Sequence, residues 1–245
     1  SSTAWLMQLG DALLDLLFPP RCVACQRLGA WLCTGCIKEI ETILPPVCRH
    51  CGVPLSPTRS SERAATVHSC RHCQSETSDL DGCCAFAYHS GPLREAIHQL
   101  KYKDLRSLSA PLGKVMSDGW DILSPQDLRV DVIVPVPLHR SRQQERGFNQ
   151  AALLARELGQ RLHRPVVEDT LVRAKATAPQ VGLDVQQRQE NVRDAFECVN
   201  DSLASKCVLL IDDVRTTGST LEAACHALRE RGVSSVWAYT LARAR

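Results

Sequence analysis

The segment Val208 to Thr220, VLLIDDVRTTGST, limits the folds open to this chain more than any other stretch. Val208, Leu209, Leu210 and Ile211 form an unbroken apolar run, as expected of a strand covered on both faces, which is the habit of parallel sheets. Two carboxylates follow at once, Asp212 and Asp213. Thr216, Thr217, Gly218, Ser219 and Thr220 then come where a helix begins. A helix start offers free backbone N–H groups and the positive end of the peptide dipole. Gly218 allows close backbone approach, and the hydroxyls add donors. The pattern reads as a cup for a phosphate ester. The acids would repel phosphate, so they suit sugar hydroxyls or a magnesium ion held at one remove. An ordinary β–α turn with a Ser or Thr cap accounts for one hydroxyl, not for two acids and four hydroxyls around a glycine. No Walker A pattern occurs in the chain.

Strands alternate with helices through the rest of residues 79–245. Strands are expected at Cys83–His89, Asp131–Val136, Val166–Val167, Ala195–Val199, Cys207–Ile211 and Ser235–Leu241. Helices are expected at Pro92–Tyr102, Leu105–Trp120, Asn149–Leu162, Asp184–Val192 and Ser219–Arg231, the last closed by Gly232. This alternation predicts an α/β domain with a parallel sheet and helices on both faces. Ligands in such sheets bind beyond the carboxyl ends of the strands.

Residues 1–78 differ in kind. Ten of the thirteen cysteines lie between Cys22 and Cys84, and eight of them form four C-x-x-C pairs: Cys22/Cys25, Cys33/Cys36, Cys48/Cys51 and Cys70/Cys73. A C-x-x-C turn sets two thiolates on one side of a knuckle, and two knuckles complete a zinc tetrahedron. Two structural Cys₄ zinc sites are predicted, in sequential order (22, 25, 33, 36 and 48, 51, 70, 73); interleaved pairing is the competitor. A secreted disulfide scaffold and a redox motif both fit the spacing poorly. Zinc would supply folding energy that a small domain of low apolar content lacks. Cys83, Cys84, Cys198, Cys207 and Cys225 read as small buried hydrophobes.

The N-terminus places Trp5, Leu6, Leu9, Leu13, Leu16 and Leu17 at helical spacing, with Asp11 and Asp15 opposite. It reads as an amphipathic docking helix rather than an export signal or a membrane anchor. No stretch is apolar enough to span a bilayer, and a cytoplasmic location is expected. The net charge of +2 is uninformative, but residues 139–175 hold eight Arg or Lys against four acids, which suits an anionic ligand.

The Asp-Asp-x-x-Thr-Thr-Gly-x-Thr run resembles the phosphoribosyl-diphosphate (PRPP) motif of type I phosphoribosyltransferases. That resemblance implies that Asp212 and Asp213 hold the ribose 2- and 3-hydroxyls and that Thr216–Thr220 hold the 5-phosphate. It also implies a diphosphate loop after an earlier strand, for which Pro137, Leu138 and His139 are the candidates. A flexible loop over the diphosphate is implied too, for which Arg173–Gln180 with Lys175 is the candidate. Asp212, Asp213 and Lys175 would be the catalytic residues. Over nearly its full length the chain also resembles the ComF family. The residues that carry this are Arg142-x-x-x-Arg146-Gly147-Phe148-Asn149-Gln150, Thr177-x-x-Gln180, Arg188-x-x-Asn191, Ala195-Phe196, Leu100-Lys101-Tyr102 and the C-x-x-C pairs. Arg146 joins the expected ligand-binding set. The family implies a role in handling incoming single-stranded DNA during natural transformation, beside a helicase-like partner. The acceptor for a transferase reaction has no sequence signature here, so a binding module stands beside an enzyme. Phe148 and Tyr102 are the candidates for stacking on single-stranded DNA.

Overall fold

The computed structural model describes residues 19–55, 69–75, 78–103, 105–174 and 195–245. The expected N-terminal helix, Lys175 with the loop to Gln180, and the expected helix Asp184–Val192 lie outside these residues.

The centre is a four-stranded parallel sheet. Its strands are β1 (Gly82–Tyr88), β2 (Val132–Pro135), β5 (Cys207–Arg215) and β6 (Ser235–Arg243), in the order β1-β6-β5-β2. Register is set by the apolar runs: Val134 faces Leu210 and Leu210 faces Ala238 across the ladders. Successive residues alternate between two cores, as the two-residue period of a strand requires. Ile133, Leu209, Ile211, Tyr239 and Leu241 point to one face, where they meet Leu93, Ile97, Leu112, Met116, Leu154 and Leu158. Those come from helices α3 (Gly91–Tyr102), α4 (Ser109–Leu123) and α6 (Gln150–Leu162). Val132, Val134, Val208, Leu210 and Val236 point to the other face, against Leu221, Ala224 and Leu228 of α7 (Ser219–Arg229). Tyr239 is fully buried and donates its hydroxyl to the Met116 carbonyl at 2.7 Å.

Three local readings are corrected. Phe196–Cys198 (β4) does not join the parallel sheet; it pairs antiparallel with Leu171–Arg173 (β3), a separate two-stranded ribbon. Arg173 therefore ends a strand rather than opening a loop. Val166 contributes a single parallel bridge to Ile133. Directly after the expected diphosphate loop, residues 140–146 form a two-turn helix, α5 (Arg140–Arg146), because His139 caps its start and Gly147, at φ 73°, ends it.

The cysteine-rich part is packed onto the sheet rather than tethered beside it. Its short helices are α1 (Thr34–Lys38) and α2 (Arg71–Ser75). Leu32, Ile40, Cys22, Cys33 and Cys36 share a core with Phe86, Ala87 and the residues of α3. Thr42 bridges antiparallel to Ala87, Ile43 N–H donates to the Phe86 carbonyl at 2.9 Å, and Tyr88 N–H to the Glu41 carbonyl at 3.0 Å. The open edge of β1 is thereby covered, which removes a template for aggregation. Among the described residues no helix is long and apolar enough to cross a membrane.

Candidate phosphate site and zinc centres

Strand β5 runs past Ile211 to Arg215, so both acids sit on its last turns of ladder rather than in a loop. Asp212 pairs in register with Thr240, and Arg215 with Arg243. Asp213 N–H donates to Asp212 Oδ1 at 2.8 Å, which fixes the first carboxylate against the strand. Asp213 is buried, and Lys101 Nζ lies 2.9 Å from its Oδ2. Desolvation pushes the Asp212 carboxyl up to about 7; the neighbouring charge of Asp213 adds to this, and Lys101 and Arg173 oppose it. His89, at the end of β1, is held below its ordinary value by burial and then by the charge of Lys101. Burial likewise lowers Arg173, with Arg142 adding to the effect. The carboxyl end of the sheet thus gathers two acids and the cations Lys101, Arg142 and Arg173.

The turn after β5 is compact. Gly218 has φ +94°, a conformation strained for any residue with a side chain, and it opens α7 without a side-chain cap. Thr217 Oγ1 accepts from Ser219 N–H at 3.4 Å and bonds Ser219 Oγ at 2.9 Å. Thr216 is exposed, and Ser219 is buried in the first turn of the helix.

The expected diphosphate loop lies alongside. β2 pairs with β5, and Val136 N–H donates to the Ile211 carbonyl at 2.9 Å, so Pro137, Leu138 and His139 emerge next to Asp212. Asn149 clamps the loop: its Nδ2 donates to the Val136 carbonyl at 3.0 Å while its Oδ1 caps α6 by accepting from Ala151 N–H. That gives Asn149 of the R-G-F-N-Q run a positioning role that its sequence pattern did not specify. His139 Nδ1 is engaged by Ser141, at 2.8 Å from its hydroxyl. The Arg146 guanidinium sits 4.9 Å from the centre of the Tyr102 ring. Phe148 is buried under Arg106 and offers no face to a nucleobase, so of the two aromatic candidates only Tyr102, 62% exposed, remains.

Both cysteine clusters take the sequential grouping. The ligand atoms of Cys22, Cys25, Cys33 and Cys36 lie within 4.8 Å of one another, as do those of Cys48, Cys51, Cys70 and Cys73. The Cys22–Cys36, Cys25–Cys33 and Cys51–Cys70 sulfurs are 3.7, 3.6 and 3.7 Å apart. A tetrahedron with Zn–S bonds of about 2.3 Å has edges of about 3.8 Å, so the cages have the size of a zinc site. Cys33 N–H and Cys70 N–H point at the sulfurs of Cys22 and Cys48, at 3.5 and 3.3 Å, the orientation that stabilises thiolate ligands. Cys83, Cys84, Cys198 and Cys225 are buried as expected; Cys207, at the start of β5, is only half-buried.

Comparison with known proteins agrees with this division. A double zinc ribbon domain model matches residues 13–74, and a phosphoribosyl transferase domain model matches residues 144–245. Competence protein F of Haemophilus influenzae is 31% identical over 232 residues, which cover 91% of this chain and 97% of that protein. The chain belongs to the competence protein F (ComF) family. The DNA utilization protein YhgH of Escherichia coli K12 is 28% identical over 236 residues, covering 93% of this chain and 99% of that protein. Competence protein ComFC of Bacillus subtilis is 28% identical over 225 residues, covering 86% and 84%. This ComF chain therefore joins two four-cysteine zinc-binding sites to a phosphoribosyltransferase-type parallel sheet. Lys101 and His89 were not singled out as site residues from the sequence, since they lie more than a hundred residues from β5. Lys101 had one signal, its place in Leu100-Lys101-Tyr102.

Proposed function

We propose that this ComF protein binds PRPP together with magnesium at the carboxyl ends of β2 and β5, and that it uses this site in handling incoming single-stranded DNA in the cytoplasm. The observation that carries the reading is the placement of Asp212 and Asp213 between a helix N-terminus and the clamped loop 137–139. On this reading the backbone of Thr216–Thr220 and the dipole of α7 hold the 5-phosphate. Asp212 and Asp213 accept the ribose hydroxyls. The loop after β2 presents backbone N–H groups to the diphosphate, and Arg173 brings positive charge to the same side.

The donor set fits magnesium. Asp212 is half-buried and Asp213 buried at adjacent positions of β5, and Lys101 Nζ lies 2.9 Å from the Asp213 carboxylate. Hard oxygen ligands of this kind suit magnesium, directly or through water. Bound with PRPP, the ion would supply positive charge to the leaving diphosphate. The chain's own part in phosphoribosyl transfer would be positioning and charge stabilisation around ribose C1. Lys175, outside the described residues, would act there from the adjoining loop. A contact with DNA is supported by exposed Tyr102, flanked by Arg146 and by the ring of His98 at 5.0 Å. The relatives' names, competence protein and DNA utilization protein, support the setting.

Thermal denaturation tests the binding step. PRPP with magnesium should raise the Tm, and the double substitution Asp212→Asn/Asp213→Asn should abolish the rise. A wild-type protein indifferent to PRPP would sink the reading. Diphosphate release with a nucleobase or amine acceptor tests turnover separately.

A further inference from the structure

Arg215 ties the phosphate turn to the second zinc knuckle. It is the last residue of β5, opposite Arg243 at the end of β6. Both guanidinium groups donate to one acceptor, the carbonyl of the zinc ligand Cys51. Arg243 Nη1 reaches it at 2.9 Å, and Arg215 Nη1 also donates to it. The rest of the Arg215 guanidinium lies beneath the turn. A Cβ at Gly218 would stand 2.8 Å from both Nε and Nη2, so the missing side chain of Gly218 is what lets the arginine fold under it. Arg215 Nε is buried and has no hydrogen-bond partner among the described residues. The contact with Cys51 is therefore the main polar anchor of this group.

The knuckle is itself fixed to the sheet. Cys83 N–H of β1 donates to the Arg49 carbonyl at 2.8 Å. Gly52 presses on β1 so closely that a Cβ there would lie 3.0 Å from the Cys83 carbonyl oxygen and the Cys84 Cα. The Arg49 guanidinium covers the Trp237 ring at 4.9 Å. The first cluster sits elsewhere, beside the start of α3, where Cys25, Cys36, Gly91 and Pro92 line one cleft.

We infer that the second zinc site holds the phosphate turn in place through Arg215, so that anion binding at the turn and zinc retention by Cys48, Cys51, Cys70 and Cys73 stabilise each other. The inference rests on the PRPP reading of that turn. Metal in the cage fixes the Cys51 carbonyl relative to β1. Without it the four thiols lose their cross-link, the carbonyl wanders, and a half-buried guanidinium with a buried Nε loses its acceptor, which is costly. The turn then loses its floor. Linkage requires the reverse effect on zinc affinity to be equal: a ligand that orders the turn must tighten zinc binding at the knuckle, which we read as slower zinc release. Arg215 is a positioning residue here; it contacts the turn and the knuckle, not the ligand.

The full-length, zinc-loaded protein can be followed with a chromogenic zinc chelator, with magnesium alone and with magnesium plus PRPP. PRPP should slow the release of one of two zinc ions at least about fivefold and leave the other unchanged. Arg215→Met, purified with two zinc ions, should lose that protection and bind PRPP more weakly by a similar factor. Arg243→Met shares the carbonyl but not the turn, and should keep the protection. PRPP binding that leaves the release of both ions unchanged overturns the coupling and spares the PRPP reading. No PRPP binding by wild type overturns both. Equal loss of protection in the two arginine variants overturns the role given to Arg215. The wild-type comparison needs no variant, so a misfolded Arg215→Met leaves the coupling open to refutation.

Discussion

Replacing Asp212 by Asn should stabilise the protein at pH 8 while destroying its ligand site. Asp212 accepts the Asp213 N–H through Oδ1, a bond that an Asn oxygen can keep. What changes is the charge. Burial, then the neighbouring Asp213, carry the Asp212 carboxyl from the ordinary 3.8 to about 7, so the fold takes up a proton that the unfolded chain releases. Stability from this group is complete below pH 3.8 and is lost as pH rises through 7. From pH 5 to pH 7 the loss amounts to roughly 2 kcal/mol, since the slope of roughly 1.36 kcal/mol per pH unit flattens as the carboxyl half-ionises near 7. Asn cannot titrate, so the variant should gain on wild type by about 2–3 kcal/mol between pH 5 and pH 8. For a chain of this size that is roughly 5–10 °C in Tm. Differential scanning calorimetry of both proteins across that range, without ligand, measures it. Parallel Tm curves, or a variant that loses stability at pH 8, would refute the account of two crowded acids. PRPP affinity of wild type should rise over the same interval, as Asp212 becomes an anion able to accept hydroxyl bonds.

Three further outcomes are expected. Metal analysis should find two zinc ions per chain, and a strong chelator should lower the Tm and raise binding of a hydrophobic dye, because Leu32 and Ile40 leave the core shared with Phe86. A single ion would remove one of the cages. Leu154→Ala, at a fully buried position in α6, should cost roughly 2–5 kcal/mol in urea unfolding; a loss below about 1 kcal/mol would contradict the packing described. Tyr102→Ala should weaken single-stranded DNA binding by roughly 1–3 kcal/mol in an anisotropy titration, the worth of one stacked base, and unchanged affinity would take Tyr102 off the DNA path.

What the sequence made legible were the features coded locally. The run Val208–Ile211 declares a strand buried on both faces, and the four C-x-x-C pairs declare two metal cages. Hydrophobic phase found α3, α4, α6 and α7 to within a few residues. The misses share a cause, since each depends on partners distant in sequence. Lys101 reaches Asp213 only because α3 packs across the sheet. Phe148 follows an exposed-looking Arg-Gly pair yet turns inward under Arg106. The β3–β4 ribbon is made of two three-residue strands, and only its antiparallel pairing places Phe196–Cys198 outside the parallel sheet. Arg215 reads as a variable filler between acid and threonine until the Cys51 carbonyl appears beneath it.

The strand order β1-β6-β5-β2 has a consequence for how the molecule is made. β1 is the first strand of the sheet to be synthesised, and the neighbour it needs, β6, is the last: Gly82 pairs with Trp237. A chain still on the ribosome can fold its zinc knuckles early, but β1 must wait with one edge open until β6 has been made. Long-range parallel closure of this kind is slow. Loss of residues 236–245 would remove most of an inner strand rather than an edge and would separate the cysteine-rich part, which is carried on β1, from the strand that bears the acids. A stop codon within β6 should therefore be as damaging as one midway between β1 and β6.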